Sequence, residues 1–127
     1  VTLTNTDWKV YLSRQSIGDF QIARAGWIGD YIDPKSFLDM MVTGRGNNQT
    51  GWSNKKYDDL LIKAANSTSQ DQRFYNFYEA EKILMDEMPI IPIYTYTRIY
   101  MLHEDVKGWG NNLLDSRPYQ FVYLENN

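Results

Sequence analysis

Phe20-Gln21-Ile22-Ala23-Arg24-Ala25-Gly26-Trp27-Ile28-Gly29-Asp30-Tyr31-Ile32-Asp33-Pro34-Lys35-Ser36-Phe37-Leu38 is the stretch on which the fold turns. Its first four residues read as a short strand. Gly26, Gly29 and Asp30 make the next part irregular, and Asp33-Pro34 then starts a helix. Asp33 is placed to cap that helix, and Pro34 takes its first position, where a missing N–H costs nothing. Phe37, Leu38, Met41 and Val42 form the apolar face, and Gly44 stops the helix. A loop that leaves a strand and enters a helix is where open α/β folds place ligand sites. Between Arg24 and Pro34 the loop gathers a cation, two aromatics (Trp27, Tyr31) and two carboxylates (Asp30, Asp33) around two glycines. A carboxylate in such a pocket suits an ammonium group, and Trp27 can stack on it or cover it. The residues fit equally well a structural Arg24–Asp30 pair with Trp27 in the core.

Toward the amino end, Thr6 or Asp7 caps a short amphipathic helix carrying Trp8, Tyr11 and Leu12. Before it, Val1-Thr2-Leu3-Thr4 alternates apolar and polar and reads as a strand already under way. With no initiator Met, the expectation is a segment from inside a longer protein. Toward the carboxy end, residues 44–51 form a polar loop. Ser53 or Asn54 caps the next helix, with Tyr57, Leu60, Leu61, Ala64 and Ala65 at helical spacing. Ser69-Gln70-Asp71-Gln72 has the form of a capping box. It opens the longest helix, about 71–88, with Phe74, Phe77, Tyr78, Leu84 and Met88 on one stripe, ended by Pro89. From Ile90 the period becomes two: Ile91, Ile93, Thr95, Thr97 and Ile99 on one face, Tyr94, Tyr96, Arg98 and Tyr100 on the other. Pro92 marks a strand start or an edge. A turn-rich connection at 106–110 and a last strand at 120–124 follow. Mixed helices and strands make the class α/β or α+β.

Composition narrows the chemistry. At 127 residues the chain is the size of one domain, and its 43% hydrophobic and 23% charged residues are ordinary for a globular protein. Apolar runs are too short for a membrane helix. The net charge of −3 is a poor start for a nucleic-acid binder. Cysteine is absent, which excludes disulfides, thiol catalysis and Cys-ligated metals. The single histidine, His103, leaves no plausible catalytic set, and no metal-ligand spacing occurs, so neither an enzyme nor a cofactor is expected. Gly44-Arg45-Gly46 lacks the phosphate-loop pattern and reads as a turn. Aromatics reach 15%, with ten Tyr and four Trp, residue types that suit surfaces both apolar and hydrogen-bonding.

The stretch 20–38 closely resembles the segment of bacterial oligopeptide-binding proteins that reads F-D-V-A-R-A-G-W-x-x-D-Y-x-x-P-x-S-F-L. The resemblance continues through Asn47-Asn48, Tyr57-Asp58-Asp59-Leu60-Leu61, Arg73 to Tyr78, Ala80-Glu81-Lys82-Ile83-Leu84, Met88-Pro89-Ile90-Ile91-Pro92-Ile93-Tyr94 and Val106-Lys107-Gly108-Trp109, essentially the whole chain. It implies the carboxy-terminal portion of a two-lobed, type II periplasmic-binding-protein-like α/β fold. Residues 1–19 would end one lobe, 20–26 form a hinge-crossing strand, and 27–127 supply the carboxy-terminal part of the other lobe.

The same resemblance implies function. The family is the extracytoplasmic solute-binding component of peptide ABC importers, periplasmic or a cell-surface lipoprotein, with short peptides and the permease subunits as partners. By the family's motifs, Asp30 matches the aspartate that meets the peptide's α-ammonium, and Trp27 a tryptophan lining that pocket. Arg24 matches an arginine able to meet a short peptide's carboxylate, and Tyr96 a tyrosine that contacts bound peptide. Tyr31 completes the peptide-binding set. Ile28-Gly29 and Ile32-Asp33 depart from the best-known members, and a further arginine of theirs falls on Gln15, with Arg14 beside it. Related binding proteins for nickel, a sugar or a murein peptide form the alternative. Trp27, Tyr31 and Tyr96 are expected to be exposed, and that patch favours self-association of the segment.

Overall fold

The computed structural model describes residues 2–110, 112, 114 and 116–125. Helix α1 (Trp8–Ser16) is followed by the short α2 (Lys35–Leu38), which runs on into a 3₁₀ turn at Asp39–Met41. Two long helices come next, α3 (Lys55–Asn66) and α4 (Gln70–Glu87). Two short strands close the order, β1 (Val106–Lys107) and β2 (Tyr123–Leu124), paired antiparallel with Val106 opposite Leu124 and Lys107 opposite Tyr123.

The core lies where α3 and α4 pack on each other and on α2. Its buried residues are Leu38, Met41, Tyr57, Leu60, Leu61, Ala64, Phe77, Ala80 and Leu84. Both helix starts follow from their caps. The Asn54 side chain accepts the Tyr57 N–H at 3.1 Å, and Ser69 Oγ accepts the Gln72 N–H at 3.4 Å. Each bond satisfies a donor that the first helical turn leaves orphaned. Only three residues separate α3 from α4, which makes them an antiparallel hairpin. Glu87 ties its open end: its carboxylate accepts from Trp52 Nε1 at 2.7 Å and Asn54 Nδ2 at 2.6 Å. At Met88 the backbone turns left-handed (φ 50°), and Pro89 has no N–H to continue the ladder.

Several expectations need correction. In α3 the buried set is Tyr57, Leu60, Leu61 and Ala64, but Ala65 faces out. In α4 the buried face is Asn76, Phe77, Ala80 and Leu84, while Phe74, Tyr78 and Met88 are exposed. Phe77 and Leu84 of the expected stripe are thus buried, and Asn76 and the small Ala80 join them in place of Phe74 and Tyr78. Phe37 is also exposed, although Leu38 and Met41 of its helix are buried. The loop 44–51 is braced by Asn48, whose amide donates to the carbonyls of Met41, Val42 and Trp52.

The strands expected at 2–4, 20–23 and 91–100 do not form among the described residues; Val1 lies outside them. Residues 91–104 are exposed throughout and make no ladder. Their period-two pattern is real, but a strand also needs a neighbour's N–H and C=O groups. The last strand is shorter than expected, since Tyr119–Phe121 is a 3₁₀ turn.

One glycine is essential to the β1–β2 pair. Gly108 has φ 77°, and a Cβ there would overlap the Phe121 carbonyl oxygen. Gly108→Ala therefore breaks the pairing, at a local cost above about 1 kcal/mol. Hydrogen exchange checks this: the Glu125 amide, bonded to the Asp105 carbonyl at 2.8 Å, loses protection while α3 and α4 keep theirs.

Candidate functional site

The candidate residues fall into two neighbouring groups joined through Gly26. The first is built on Arg24. Its guanidinium Nη2 donates to the Tyr96 hydroxyl, 72 residues away in sequence, and its carbonyl accepts from the Tyr11 hydroxyl. The Tyr94 and Tyr96 rings meet edge to face at 4.7 Å. Tyr94, first, and Tyr96 hold the Arg24 guanidinium above its already high pKa. The Tyr94 phenol is lowered, chiefly by the hydrogen bond from Tyr96, and Tyr96 is correspondingly raised. A Cβ on Gly26 would stand 3.8 Å from the Tyr96 ring, so the backbone at Gly26 lies directly against that tyrosine.

The second group is built on Ser36, which is 4% exposed. Its carbonyl accepts the Trp27 indole N–H at 2.8 Å, and its Oγ accepts the Asp30 backbone N–H at 2.7 Å. The Asp30 side chain is exposed, and among the described residues its carboxylate has no hydrogen-bond or ion-pair partner. Asp33 behaves differently. It caps α2 by accepting the Lys35 N–H at 2.9 Å, and its other oxygen pairs with Arg73 Nη2 at 2.7 Å. Arg73 in turn lies over the Phe77 ring, 4.7 Å from its centroid, which fastens the loop to α4. The Tyr31 phenol is pushed up by partial burial and then by the charges of Asp39, Asp33 and Asp30.

The structural alternatives for the loop are thereby decided. Arg24 pairs with tyrosine, not with Asp30. Trp27 is not core: it is 36% exposed, while Tyr31 is 45% and Tyr96 58% exposed. The loop thus presents a free carboxylate, an indole with its N–H already satisfied, and an arginine with further N–H groups to give. Such a surface can bind a cation at one place and an anion at another. Arg14 is committed elsewhere, to Asp19 at 2.8 Å. His103 lies against Asp105 at 3.4 Å, and no cluster of metal-ligating side chains occurs among the described residues. Sequence reasoning missed Ser36, Tyr94 and Tyr11. Ser36 acts partly through its main-chain carbonyl, which leaves no trace in residue type.

No protein-family model matches the chain. Curated relatives do. The chain is 42% identical over 108 residues to the dipeptide-binding protein DppE of Bacillus subtilis, covering 85% of this chain and 20% of that protein. It is 40% identical over 109 residues to the oligopeptide-binding protein OppA of the same organism, again covering 85% and 20%. Among solved structures, the murein tripeptide binding protein MppA of Escherichia coli superposes with a TM-score of 0.89 at 33% identity, over 99% of this chain and 25% of that one. The chain therefore spans about a fifth to a quarter of the length of the relatives it matches, and its fold is a portion of theirs. All three are named as binding proteins.

Proposed function

The chain belongs to the bacterial oligopeptide-binding protein family, and from that premise we propose that it forms part of the solute-binding component of a peptide ABC importer. In this reading it binds short peptides by their charged termini and backbone. Asp30 takes the α-ammonium, Trp27 lines that pocket, Arg24 meets the carboxylate of a short peptide, and Tyr31 and Tyr96 contact the bound peptide. The protein works outside the cytoplasmic membrane, as a periplasmic or lipid-anchored protein, and hands its ligand to permease subunits. Residues 1–19 end one lobe, 20–26 cross between lobes, and 27–127 contribute to the other.

The observation that carries this reading is the state of Asp30. Its backbone is pinned by Ser36 while its carboxylate is left without a protein partner among the described residues. Charge-assisted hydrogen bonds are strong and directional, so a held but unpaired carboxylate is suited to a ligand's ammonium. Termini and main chain are common to all peptides, so recognition through them tolerates any side chains. Titration calorimetry with a tripeptide and with its N-acetylated form is the test. The free peptide binds more tightly. Equal binding of the two would remove the ammonium role and favour a nickel complex or a sugar, neither of which needs Asp30.

A further inference from the structure

Ser36 lies outside the set of residues that meet the ligand, yet both groups at the ammonium end hang on it. Its side chain is buried and polar, and its Oγ is 2.7 Å from the Asp30 amide nitrogen. Its carbonyl holds Trp27 at 2.8 Å. We propose that Ser36 is a positioning residue for ligand recognition: it fixes the Asp30 backbone so that the carboxylate points at a ligand ammonium beside Trp27. This rests on the reading of Asp30 given above.

The need for such a residue follows from the local structure. Residues 20–34 contain no helix or strand, so no ladder of backbone bonds sets the direction of Asp30. Its carboxylate has no protein partner among the described residues, so within the protein the main chain sets the region that the carboxylate can reach. The preceding residue adds a second constraint: a Cβ on Gly29 would sit 3.0 Å from the Phe37 ring and 3.5 Å from Ser36 Oγ. The loop therefore lies flat on α2. That helix is itself fixed. Leu38 is in the core, its carbonyl accepts the Tyr57 hydroxyl, and Asp33 at the helix start pairs with Arg73 of α4. A continuous set of contacts thus runs from the α3–α4 hairpin through α2 and Ser36 to Asp30. A carboxylate displaced by even part of an ångström loses the angle that a charge-assisted bond requires.

Ser36→Ala separates the two anchors, because alanine keeps the carbonyl that holds Trp27 and loses only the hydroxyl. The measured quantity is the ratio of affinities for a free tripeptide and its N-acetylated form, in the intact protein. Ser36→Ala lowers that ratio by about two- to tenfold, the net worth of one neutral hydrogen bond, with Trp27 fluorescence unchanged. A purely structural serine would lower the melting temperature and weaken both peptides alike; an unchanged ratio overturns the proposal. Asp30→Asn is measured beside it. If Asp30→Asn collapses the ratio and Ser36→Ala does not, the positioning role falls and the ammonium reading stands. If Asp30→Asn leaves the ratio intact, the ammonium reading itself has failed. The unsubstituted protein supplies a check independent of any variant's folding: the Asp30 amide is protected from hydrogen exchange although it lies outside helix and strand. Free exchange at that amide would also overturn the proposal.

Discussion

Replacing Asp30 by asparagine lowers the affinity for a free tripeptide more than about thirtyfold and leaves the N-acetylated peptide nearly unaffected. Asparagine keeps the size of the side chain and one acceptor oxygen, so the change isolates charge. The magnitude depends on what surrounds the pair. An ammonium–carboxylate pair left in water is worth about 0–1 kcal/mol, fivefold at most. Removing one member of an enclosed, hydrogen-bonded pair costs about 2–5 kcal/mol, which is thirtyfold or more. Asp30 is exposed in this chain, so the larger figure requires that bound peptide and the remainder of the binding protein close over it. Calorimetry on the pair of variants decides between the two. A loss below fivefold would place the ammonium in water and leave Asp30 without the assigned role. A pH series adds a second reading. A peptide's α-amino group loses its proton near pH 8, so the preference for free over acetylated peptide fades above that pH in the unsubstituted protein. In Asp30→Asn there is little preference left to fade.

What the sequence disclosed and what it hid divide along physical lines. The α3–α4 hairpin was legible because its information is local. Asn54 and Ser69 stand one residue before the helices they cap, and Tyr57, Leu60, Leu61 and Ala64 repeat at helical spacing. The rotation of α4 was not legible. The apolar stripe places Phe74, Phe77, Tyr78, Leu84 and Met88 inward; Phe77 and Leu84 are buried, but Ala80 and Asn76 take the places of Phe74 and Tyr78. The period-two pattern at 91–100 is present in the sequence, but a strand forms only in a ladder, and among the described residues this segment joins none. In the site, Asp30, Trp27 and Arg24 stood out because charge, aromatic surface and glycine coincide in one short loop. Tyr96 came only from family resemblance, since no local signal joins it to Arg24 across 72 residues. Ser36 was hidden because a serine in a short helix looks the same whether its hydroxyl faces water or holds a neighbouring backbone.

Tyr57→Ala destabilises the chain by about 3–5 kcal/mol, the cost of deleting a large ring from a filled site. Tyr57 is fully buried, sets its ring edge-on to Trp52 at 5.0 Å, and donates its hydroxyl to the Leu38 carbonyl at 2.5 Å. Against a total stability of roughly 5–15 kcal/mol for a domain, that loss is large, and urea denaturation followed by circular dichroism measures it. Tyr57→Phe keeps the ring and leaves the Leu38 carbonyl without its partner, for about 1–3 kcal/mol. The hydroxyl also makes stability depend on pH. Burial, then the charges of Asp39, Asp58 and Glu81, push the Tyr57 phenol above its ordinary value near 10. The folded state therefore holds the phenolic proton more tightly than the unfolded state. The associated stability is complete below about pH 10 and is lost as pH climbs beyond it. Other tyrosines titrate in the same range, so the informative quantity is the stability gap between the unsubstituted chain and Tyr57→Phe. That gap is constant up to about pH 10 and narrows above it; a gap that stays constant would mean the phenol is not shielded. Because the Leu38 carbonyl belongs to α2, which carries Ser36, both substitutions also loosen the support beneath Asp30. Tyr57→Phe, which preserves packing, reduces the preference for free over acetylated peptide while the α3–α4 hairpin remains folded, and it thereby ties the stability of the core to recognition at the loop.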